Sequence, residues 1–423
     1  MSRRSEKAVY WVKLLSKFIS VQLIVQALGF ASGILIIRTL SKEEYAYFTI
    51  ANTLQSTMSL LADTGIGMSL SALGGKIWPD RYHFSQLINT AMKLRYSLAI
   101  ISTTIVTPIL IWTLLHNGAS STYTILITVA VLIGLSSQLT FDVLLAVPRL
   151  HSKINIIQNL DLFSSITRLV LLGITHLFLL NALLVVAITS ILTLIQKIML
   201  RYWCNNYIDE SHNVNLEFQK IILNTVLHQA PNSIYYCFQG QLLIILISLF
   251  GNTNSIAELG ALGRLSIMFS LINSIMSTIV LPYFSRCQSA DLLRKRYWQL
   301  VFCIVAINLF ILGIALLFPS TILWVLGGKY THLQNELILI ILSSSFNFIV
   351  GTMWSINATK AWIKYSWVNI PLTLAVQACL IVSLDLSKLY SVIIFSLISL
   401  LPSFFVNMFL TYRGINEYQH SEV

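Results

Sequence analysis

The sequence predicts an all-α polytopic membrane protein with about 12 transmembrane helices, arranged as two six-helix lobes around a central cavity. Of its 423 residues, 56% are hydrophobic and only 10% are charged, whereas about a quarter of the residues in a soluble domain are charged. Apolar runs of about 20 residues, long enough to cross a hydrocarbon core of roughly 30 Å, recur along the chain. They predict spans at 18–40, 47–71, 94–115, 123–147, 154–180, 182–202, 221–250, 256–283, 297–318, 334–356, 366–385 and 387–411.

The division into lobes is predicted from the longest polar stretch, residues 203–220, which has six predicted spans on each side. We therefore expect an N-terminal lobe at 18–202, a cytoplasmic linker at 203–220 and a C-terminal lobe at 221–412. Cytoplasmic tails are expected at 1–17 and 413–423. Two halves with equal numbers of spans are the pattern of several transporter architectures.

The positive charges predict the orientation in the membrane. Lysine and arginine are enriched in the cytoplasmic loops of membrane proteins, which places both termini in the cytoplasm. Of the 27 lysines and arginines, Arg168 and Arg264 then fall within spans. The basic residues that fall outside are Arg38, Lys42, Lys329 and Lys388. The net charge of +11 is thus mostly a consequence of topology, and its spread over short loops argues against nucleic acid as a partner.

Polar side chains at helical spacing mark the first two spans. Gln22 and Gln26 share one face of the first, and Asn52 and Asp63 share one face of the second. Unpaired polar groups cost free energy in hydrocarbon. We therefore expect these faces to contact protein or a wet cavity.

Helix boundaries are indicated by capping residues and prolines. Ser41 and Glu44 match a capping box, which predicts that the second helix starts there. Pro108 is expected to interrupt the third span, Pro148 to end the fourth, and Pro231 to kink the seventh.

Charged residues also occur inside later spans. Asp161 and Arg168 share a face of the fifth span but are about 10.5 Å apart along its axis, too far to touch directly. Gln239 belongs to a polar stripe on the seventh span, and Arg264 lies in the eighth. Counting the helical rise places Asp142, like Asp161, in the inner third of the bilayer.

The remaining reactive residues argue against an enzyme. A membrane enzyme needs converging acid and base groups, usually on a sizeable loop, whereas the predicted outside loops are short and the eight histidines are scattered. The five cysteines show no metal-ligand spacing. We expect no enzymatic activity, no metal and no cofactor.

Several segments resemble the polysaccharide-transporter family, the O-antigen and capsule repeat-unit flippases of bacteria. These belong to the multidrug/oligosaccharidyl-lipid/polysaccharide exporter superfamily. The resemblance covers most of the chain and departs from the family where Asp63 is followed by Thr64-Gly65-Ile66 rather than Leu-Gly-Leu. The similar segments are GFASGILIIRTLSKEEYAYFTIANTL with LLADTGIG, then LLAVPRLHSKINII, AELGALGRL, IVLPYFSR and PSTILWVLGGKY.

The resemblance implies two lobes that alternate between inward-open and outward-open states, with helices one, two, seven and eight lining the cavity between them. The implied cargo is an undecaprenyl-pyrophosphate-linked oligosaccharide, moved from the cytoplasmic to the periplasmic leaflet of the bacterial inner membrane. The implied partners are this lipid-linked substrate, the membrane lipids and, as a candidate, polysaccharide polymerase machinery.

Six residues are candidates for binding this cargo. A guanidinium group suits phosphate oxygens, so Arg168 would bind the pyrophosphate and Arg264 would receive it after the lobes move. The alternative is that Arg168 only neutralises Asp63. The neutral side chains expected to contact sugar hydroxyls are Gln22, Gln26, Asn52 and Gln239.

The acidic residues leave a second function open. Asp63 and Asp161 are candidates for carrying a coupling proton or sodium ion, so transport coupled to either gradient is one prediction. Alternatively, the acids pair with basic loop residues such as Lys93 or Lys153. A cation-coupled multidrug or small-molecule antiporter of the same superfamily is therefore the alternative function.

Overall fold

The chain folds as an all-α, multi-pass membrane protein, as the sequence predicts. A computed structural model describes residues 3–151, 153–176, 180–209, 214–266, 269–270, 272–273, 276, 290–360, 362 and 365–420. Ten stretches of helix within these ranges are long and apolar enough to cross a membrane. Two further spans predicted from hydropathy, 47–71 and 256–283, depart from this pattern for reasons given below.

The helices are numbered here in chain order. In the first part of the chain they are α1 Arg3–Thr39, α2 Lys42–Asp63, α3 Ile66–Ile77, α4 Arg81–His116, α5 Ser121–Leu144, α6 Ala146–Leu150, α7 Ile154–His176, α8 Ala182–Cys204 and α9 Leu216–Phe250. The remaining described helices are α10 Thr253–Gly263, α11 Ala290–Leu317, α12 Pro319–Leu326, α13 Gln334–Thr359, α14 Asn369–Ser383, α15 Leu389–Ser399 and α16 Leu401–His420.

The predicted second span, 47–71, is wrong as a single helix. The structure breaks it into α2 and α3, because Thr64 and Gly65 have positive φ angles of 25° and 89°. Glycine reaches such angles without a steric penalty. A Cβ at Gly65 would also lie only 3.2 Å from Cγ of Gln229 on α9. The break between the two helices therefore lies where α9 approaches closely.

The start of α2 confirms only part of the predicted capping box. Ser41 accepts a hydrogen bond from the backbone N–H of Glu44 at 3.1 Å, as expected of an N-cap. The carboxylate of Glu44 instead accepts hydrogen bonds of 2.6 Å from the Tyr123 hydroxyl and the Ala182 N–H. Glu44 thus ties the starts of α2, α5 and α8 together.

Other predicted boundaries also change. Pro108 does not interrupt α4, which runs from Arg81 to His116. An internal proline is tolerated in a membrane helix because neighbouring helices, Ser and Thr side chains and local backbone adjustments satisfy the freed backbone groups. The predicted span 256–283 begins as α10, which ends at Gly263 and passes into a 3₁₀ turn at Arg264–Ser266. Most of its remainder lies outside the described residues. The predicted span 387–411 is divided into α15 and α16, with Pro402 at the second position of α16.

The contacts divide the chain into two compact units, Met1–Ser248 and Leu249–Val423. In the first unit, α2 packs against α4, α5 and α8, while α1 packs on α7. In the second, α13 packs against α11, α15 and α16. Nearly all of α9 groups with the first unit by its contacts. The division into two six-helix lobes joined by a linker at 203–220 remains a prediction.

The segment predicted as a linker is hydrogen-bonded to α4. The backbone N–H of Asp209 donates to the Ser85 hydroxyl at 2.9 Å, and the backbone N–H of Asn215 donates to the Thr90 hydroxyl at 3.1 Å. The side chain of Asn215 also donates to Gln86 at 3.0 Å. The described ends of this segment are therefore ordered along one face of α4.

Candidate functional site

The first unit contains a three-residue charge cluster, Asp63–Arg95–Asp142. Nη2 of Arg95 lies 2.8 Å from Oδ2 of Asp142, and its Nη1 lies 3.2 Å from Oδ1 of Asp63. The guanidinium of Arg95 on α4 therefore links Asp63 at the end of α2 to Asp142 near the end of α5. The contact with Asp142 has the length of a charge-assisted hydrogen bond, which is among the stronger kinds in proteins.

Because Arg95 is buried, leaving its charge without partners would cost free energy. The side chain of Arg95 is 5% exposed, whereas those of Asp63 and Asp142 are 39% and 30% exposed. A charged group taken out of water must be compensated by opposite charge. The Nε of Arg95 is also buried without a hydrogen-bond partner. The two carboxylates thus provide the compensation through the two terminal nitrogens.

The helix break positions Asp63 within this cluster. Asp63 is the last residue of α2, and its Oδ1 accepts a hydrogen bond of 3.3 Å from the backbone N–H of Gly67 in α3. The first amides of a helix lack intrahelical partners, so the carboxylate satisfies one of them. Asp63 is therefore held by both the new helix and Arg95.

Arg149 extends the electrostatic network beyond the cluster. Its positive charge acts on both Asp142 and Asp161. Asp63 and Asp142 also repel each other, which Arg95 between them offsets. Asp161 is half-buried on α7. Asp142 and Asp161 therefore share the electrostatic influence of Arg149.

Arg95 was counted among the basic residues of the cytoplasmic side, and its buried ion pairs were not predicted from the sequence. Arg95 is the second residue of the predicted third span, 94–115, but α4 begins earlier, at Arg81, and the side chain is buried. A signal for this was present in the sequence as residues spaced three or four apart. The buried positions on that face are Phe84, Ile88, Ala91, Arg95, Ala99, Ser102 and Val106. An arginine on an otherwise small or apolar helix face predicts an internal ion pair.

A polar cavity of about 260 Å³ lies beside the cluster, between α2, α5 and α8. Asp142 belongs to its wall, so the cluster and the cavity share one carboxylate. The other lining residues are Phe48, Asn52, Gln55, Ser56, Gln138, Phe141, Val186, Thr189, Thr193 and Gln196. Of this set, Asn52 was predicted from the sequence as a site residue, whereas Gln138 on α5 and Gln196 on α8 were not.

A polar contact outside the cavity joins α9 to α2. The side-chain amide of Gln241 donates to the backbone carbonyl of Thr53 at 3.3 Å and to the Thr57 hydroxyl. The predicted stripe on this span contained Gln239, two residues earlier. Residues two apart on a helix do not share a face, so Gln239 and Gln241 lie in different surroundings.

The structure distributes the predicted site residues over several helices. Asn52 is at the cavity and Asp63 is in the charge cluster. Arg264 is the only one of the eight that belongs to the second unit, where it starts a 3₁₀ turn. Half-buried positions on α1, α7 and α9 hold the remaining candidates, Gln22, Gln26, Asp161, Arg168 and Gln239.

The structure identifies the basic residue that forms an ion pair with Asp63. Asp63 contacts Arg95, rather than one of the three residues that the sequence suggested for its pair, Lys93, Lys153 and Arg168. Asp63 and Asp142 are paired with a basic residue, but not with a loop residue as predicted. The partner differs because it comes from the buried face of α4.

Comparison with known proteins finds the same fold in solved structures. No family model matches the sequence, and no curated protein matches it significantly. Solved structures do match. An inward-facing multidrug resistance MATE family transporter of the MOP superfamily matches with a TM-score of 0.72 and 14% identity, over 96% of this chain and 100% of its own.

Two further matches have different described functions. The lipid II flippase MurJ, in an inward closed conformation, matches with a TM-score of 0.69 and 12% identity, over 95% of this chain and 91% of its own. A MOP superfamily transporter from Pyrococcus furiosus, described as having a binding pocket of reverse polarity, matches with a TM-score of 0.60 and 14% identity, over 95% and 94% of the two chains. At these identities the likeness establishes the fold. The chain therefore has the fold shared by MATE transporters and the lipid II flippase.

Proposed function

We propose that this protein is a flippase that moves undecaprenyl-pyrophosphate-linked oligosaccharide repeat units from the cytoplasmic to the periplasmic leaflet of the bacterial inner membrane. It works by alternating access and is not an enzyme. The repeat units are those of O-antigen or capsule, which places the protein in polysaccharide biosynthesis. The observation that carries this proposal is the Asp63–Arg95–Asp142 cluster.

The cluster occupies two carboxylates that a cationic drug would otherwise find available. A site for a cationic drug needs carboxylates that are available to the ligand. Here Asp63 and Asp142 share a buried arginine, so a cationic ligand would have to displace its guanidinium. This weakens the case for a cationic cargo and supports the anionic alternative, in which arginines of the spans bind the pyrophosphate.

In this proposal Arg168 binds the pyrophosphate, because its planar donors remain charged at any depth and match phosphate oxygens. Arg264 receives the same group later in the cycle. The neutral side chains of Gln22, Gln26, Asn52 and Gln239 contact sugar hydroxyls. The proposed surroundings are membrane lipids. The proposed protein partner is polysaccharide polymerase machinery.

Coupling to a proton or sodium gradient is proposed for the return step. Asp63 and Asp161 remain the candidates, and Asp161 is the more available of the two because Asp63 is held by Arg95 and by Gly67. A cation at Asp63 would have to displace the guanidinium. We therefore assign coupling first to Asp161.

A cation-coupled antiporter is the second candidate function. It is supported by the fold shared with MATE multidrug transporters, a likeness comparable to that with the lipid II flippase. Deleting the gene in its native host separates the two. A flippase predicts loss of surface polysaccharide with unchanged drug susceptibility, restored by the wild-type protein. Intact polysaccharide together with increased drug susceptibility would favour the antiporter.

A further inference from the structure

The cavity between α2, α5 and α8 has walls of an unusual chemical kind for a membrane protein interior. Three glutamines, one asparagine and three hydroxyl side chains surround about 260 Å³, together with Phe48, Phe141, Val186 and Asp142. Polar groups in hydrocarbon are costly unless they are satisfied. Such a concentration of neutral amides and hydroxyls therefore points to a polar occupant.

The hydroxyl groups present acceptors to the cavity. Ser56 donates its proton to the carbonyl of Asn52 at 2.8 Å, and Thr193 donates to that of Thr189 at 2.9 Å. Thr189 likewise donates to the carbonyl of Val185. A hydroxyl that gives its proton to its own helix keeps its lone pairs for another donor.

The amides offer donors and acceptors side by side. Gln196 uses one N–H on the carbonyl of Leu160 at 3.4 Å, which leaves its oxygen and second N–H. Gln55 is brought inward by the absence of a side chain at Gly134, whose Cβ would lie 3.1 Å from Nε2 of Gln55. Adjacent donors and acceptors of this kind suit the hydroxyl groups of a sugar, each of which both donates and accepts.

Charge argues against a cation as the main occupant. Asp142 is the carboxylate in the wall, and Arg95 contacts one of its oxygens at 2.8 Å. The charge of Arg149 acts on it as well. An entering cation would therefore have to compete with Arg95 for this carboxylate.

Size argues against a complete drug molecule. Pockets for drug-sized ligands have volumes of about 300–1,000 Å³, and this cavity is smaller. It exceeds the room needed by a few waters, each of which takes about 30 Å³ in the liquid. Its Asn52 and Ser56 are exposed on α2, which provides a side through which a ring can enter.

We propose that this cavity is a subsite for one sugar ring of the transported oligosaccharide. The inference rests on the proposed function and adds where the glycan is recognised within the first unit. Gln55 and Gln138 are the specificity-determining residues, because they contribute paired amide groups from two different helices. Phe48 and Phe141 supply apolar contact to the ring.

The test compares two lipids that differ only in the glycan. Purified protein in nanodiscs is titrated with undecaprenyl pyrophosphate carrying the host's repeat unit and with bare undecaprenyl pyrophosphate. Wild type is expected to prefer the glycosylated lipid. Gln55→Leu and Gln138→Leu are each expected to reduce that preference about tenfold, as loss of one or two buried hydrogen bonds implies. Affinity for the bare lipid stays unchanged.

Gln219→Leu is the matched control, since Gln219 is a half-buried glutamine on α9 that does not line the cavity. A labelling experiment covers the case in which a glutamine variant fails to fold. Alkylation of Thr193→Cys should be slowed by the glycosylated lipid and left unchanged by the bare lipid.

The outcomes separate the inference from the function on which it rests. If wild type prefers the glycosylated lipid and both glutamine variants keep that preference, or if both lipids protect Thr193→Cys equally, the sugar subsite is wrong while the flippase survives. Sodium-dependent protection of Thr193→Cys without glycan-dependent protection would reassign the cavity to a cation. If wild type binds neither lipid, the flippase proposal and the subsite fail together.

Discussion

Nη2 of Arg95 on α4 contacts Oδ2 of Asp142 on α5 at 2.8 Å, and the same aspartate lines the polar cavity between α2, α5 and α8. The charge cluster and the cavity are therefore connected through one side chain. Any change in the charge of Asp142 alters both the compensation of Arg95 and the chemistry of the cavity wall. This connection gives the first unit a defined site for mutational tests.

Replacing Arg95 should destabilise the protein more than replacing a neighbouring basic residue does. Arg95→Gln leaves two carboxylates near each other without their counter-charge, and breaking a buried ion pair costs about 3–5 kcal/mol. Thermal or denaturant unfolding in detergent measures the loss. Lys93→Gln is the control, because Lys93 is exposed on the same helix and such changes stay within about 0.5 kcal/mol.

The same cluster makes a rescue prediction. Adding Asp142→Asn to Arg95→Gln removes one of the uncompensated charges and should recover part of the lost stability. Equal stability of Arg95→Gln and wild type would show that the ion pairs of Arg95 contribute nothing to the fold.

Arg168 is expected to act on the cargo rather than as the counter-charge of Asp63, because Asp63 is already bound by Arg95. Arg168→Gln should abolish flipping, and Arg168→Lys should retain part of it by keeping the charge without the planar donors. Flipping of a fluorescent lipid-linked oligosaccharide in proteoliposomes is the measurement. If Arg168→Gln combined with Asp63→Asn regained wild-type activity, Arg168 would be a counter-charge after all.

Asp161 should carry the gradient dependence of transport. Asp161→Asn is predicted to abolish the response of flipping to an imposed proton or sodium gradient, since the neutral amide cannot exchange a cation charge. Asp63→Asn serves as the comparison and should retain most of that response. An unchanged gradient response in Asp161→Asn would remove this residue from coupling.

The hydrogen bonds between the 203–220 segment and α4 should govern how readily that segment opens. Ser85→Ala and Thr90→Ala each leave a backbone N–H, of Asp209 or Asn215, without its acceptor, at a cost of about 1 kcal/mol. Hydrogen exchange at these two amides should therefore accelerate roughly fivefold.

The control for this prediction lies on the same helix. Ser97 is exposed and donates only to the carbonyl of Lys93 within α4, so Ser97→Ala should leave exchange in the segment unchanged. Equal exchange in all three variants would mean that the segment is held by other contacts.

Hydropathy determined the class of this protein and most of its helices, because a membrane-spanning helix is specified by contiguous apolar residues. The cap at Ser41 was also predictable, since an N-cap depends on residues only three apart. The same local reasoning failed at Thr64 and Gly65, where a positive φ suits the close approach of α9, and at Pro108, where the helix continues.

Only the tertiary structure decided which charges meet and where the cavity lies. Arg95 and Asp142 are 47 residues apart in the chain, and Glu44 is 138 residues from Ala182. Hydropathy and periodicity identify a polar helix face but carry no record of which other helix covers it. The partners are chosen by helix packing, because a buried guanidinium is stable only where other helices bring carboxylates to its two terminal nitrogens.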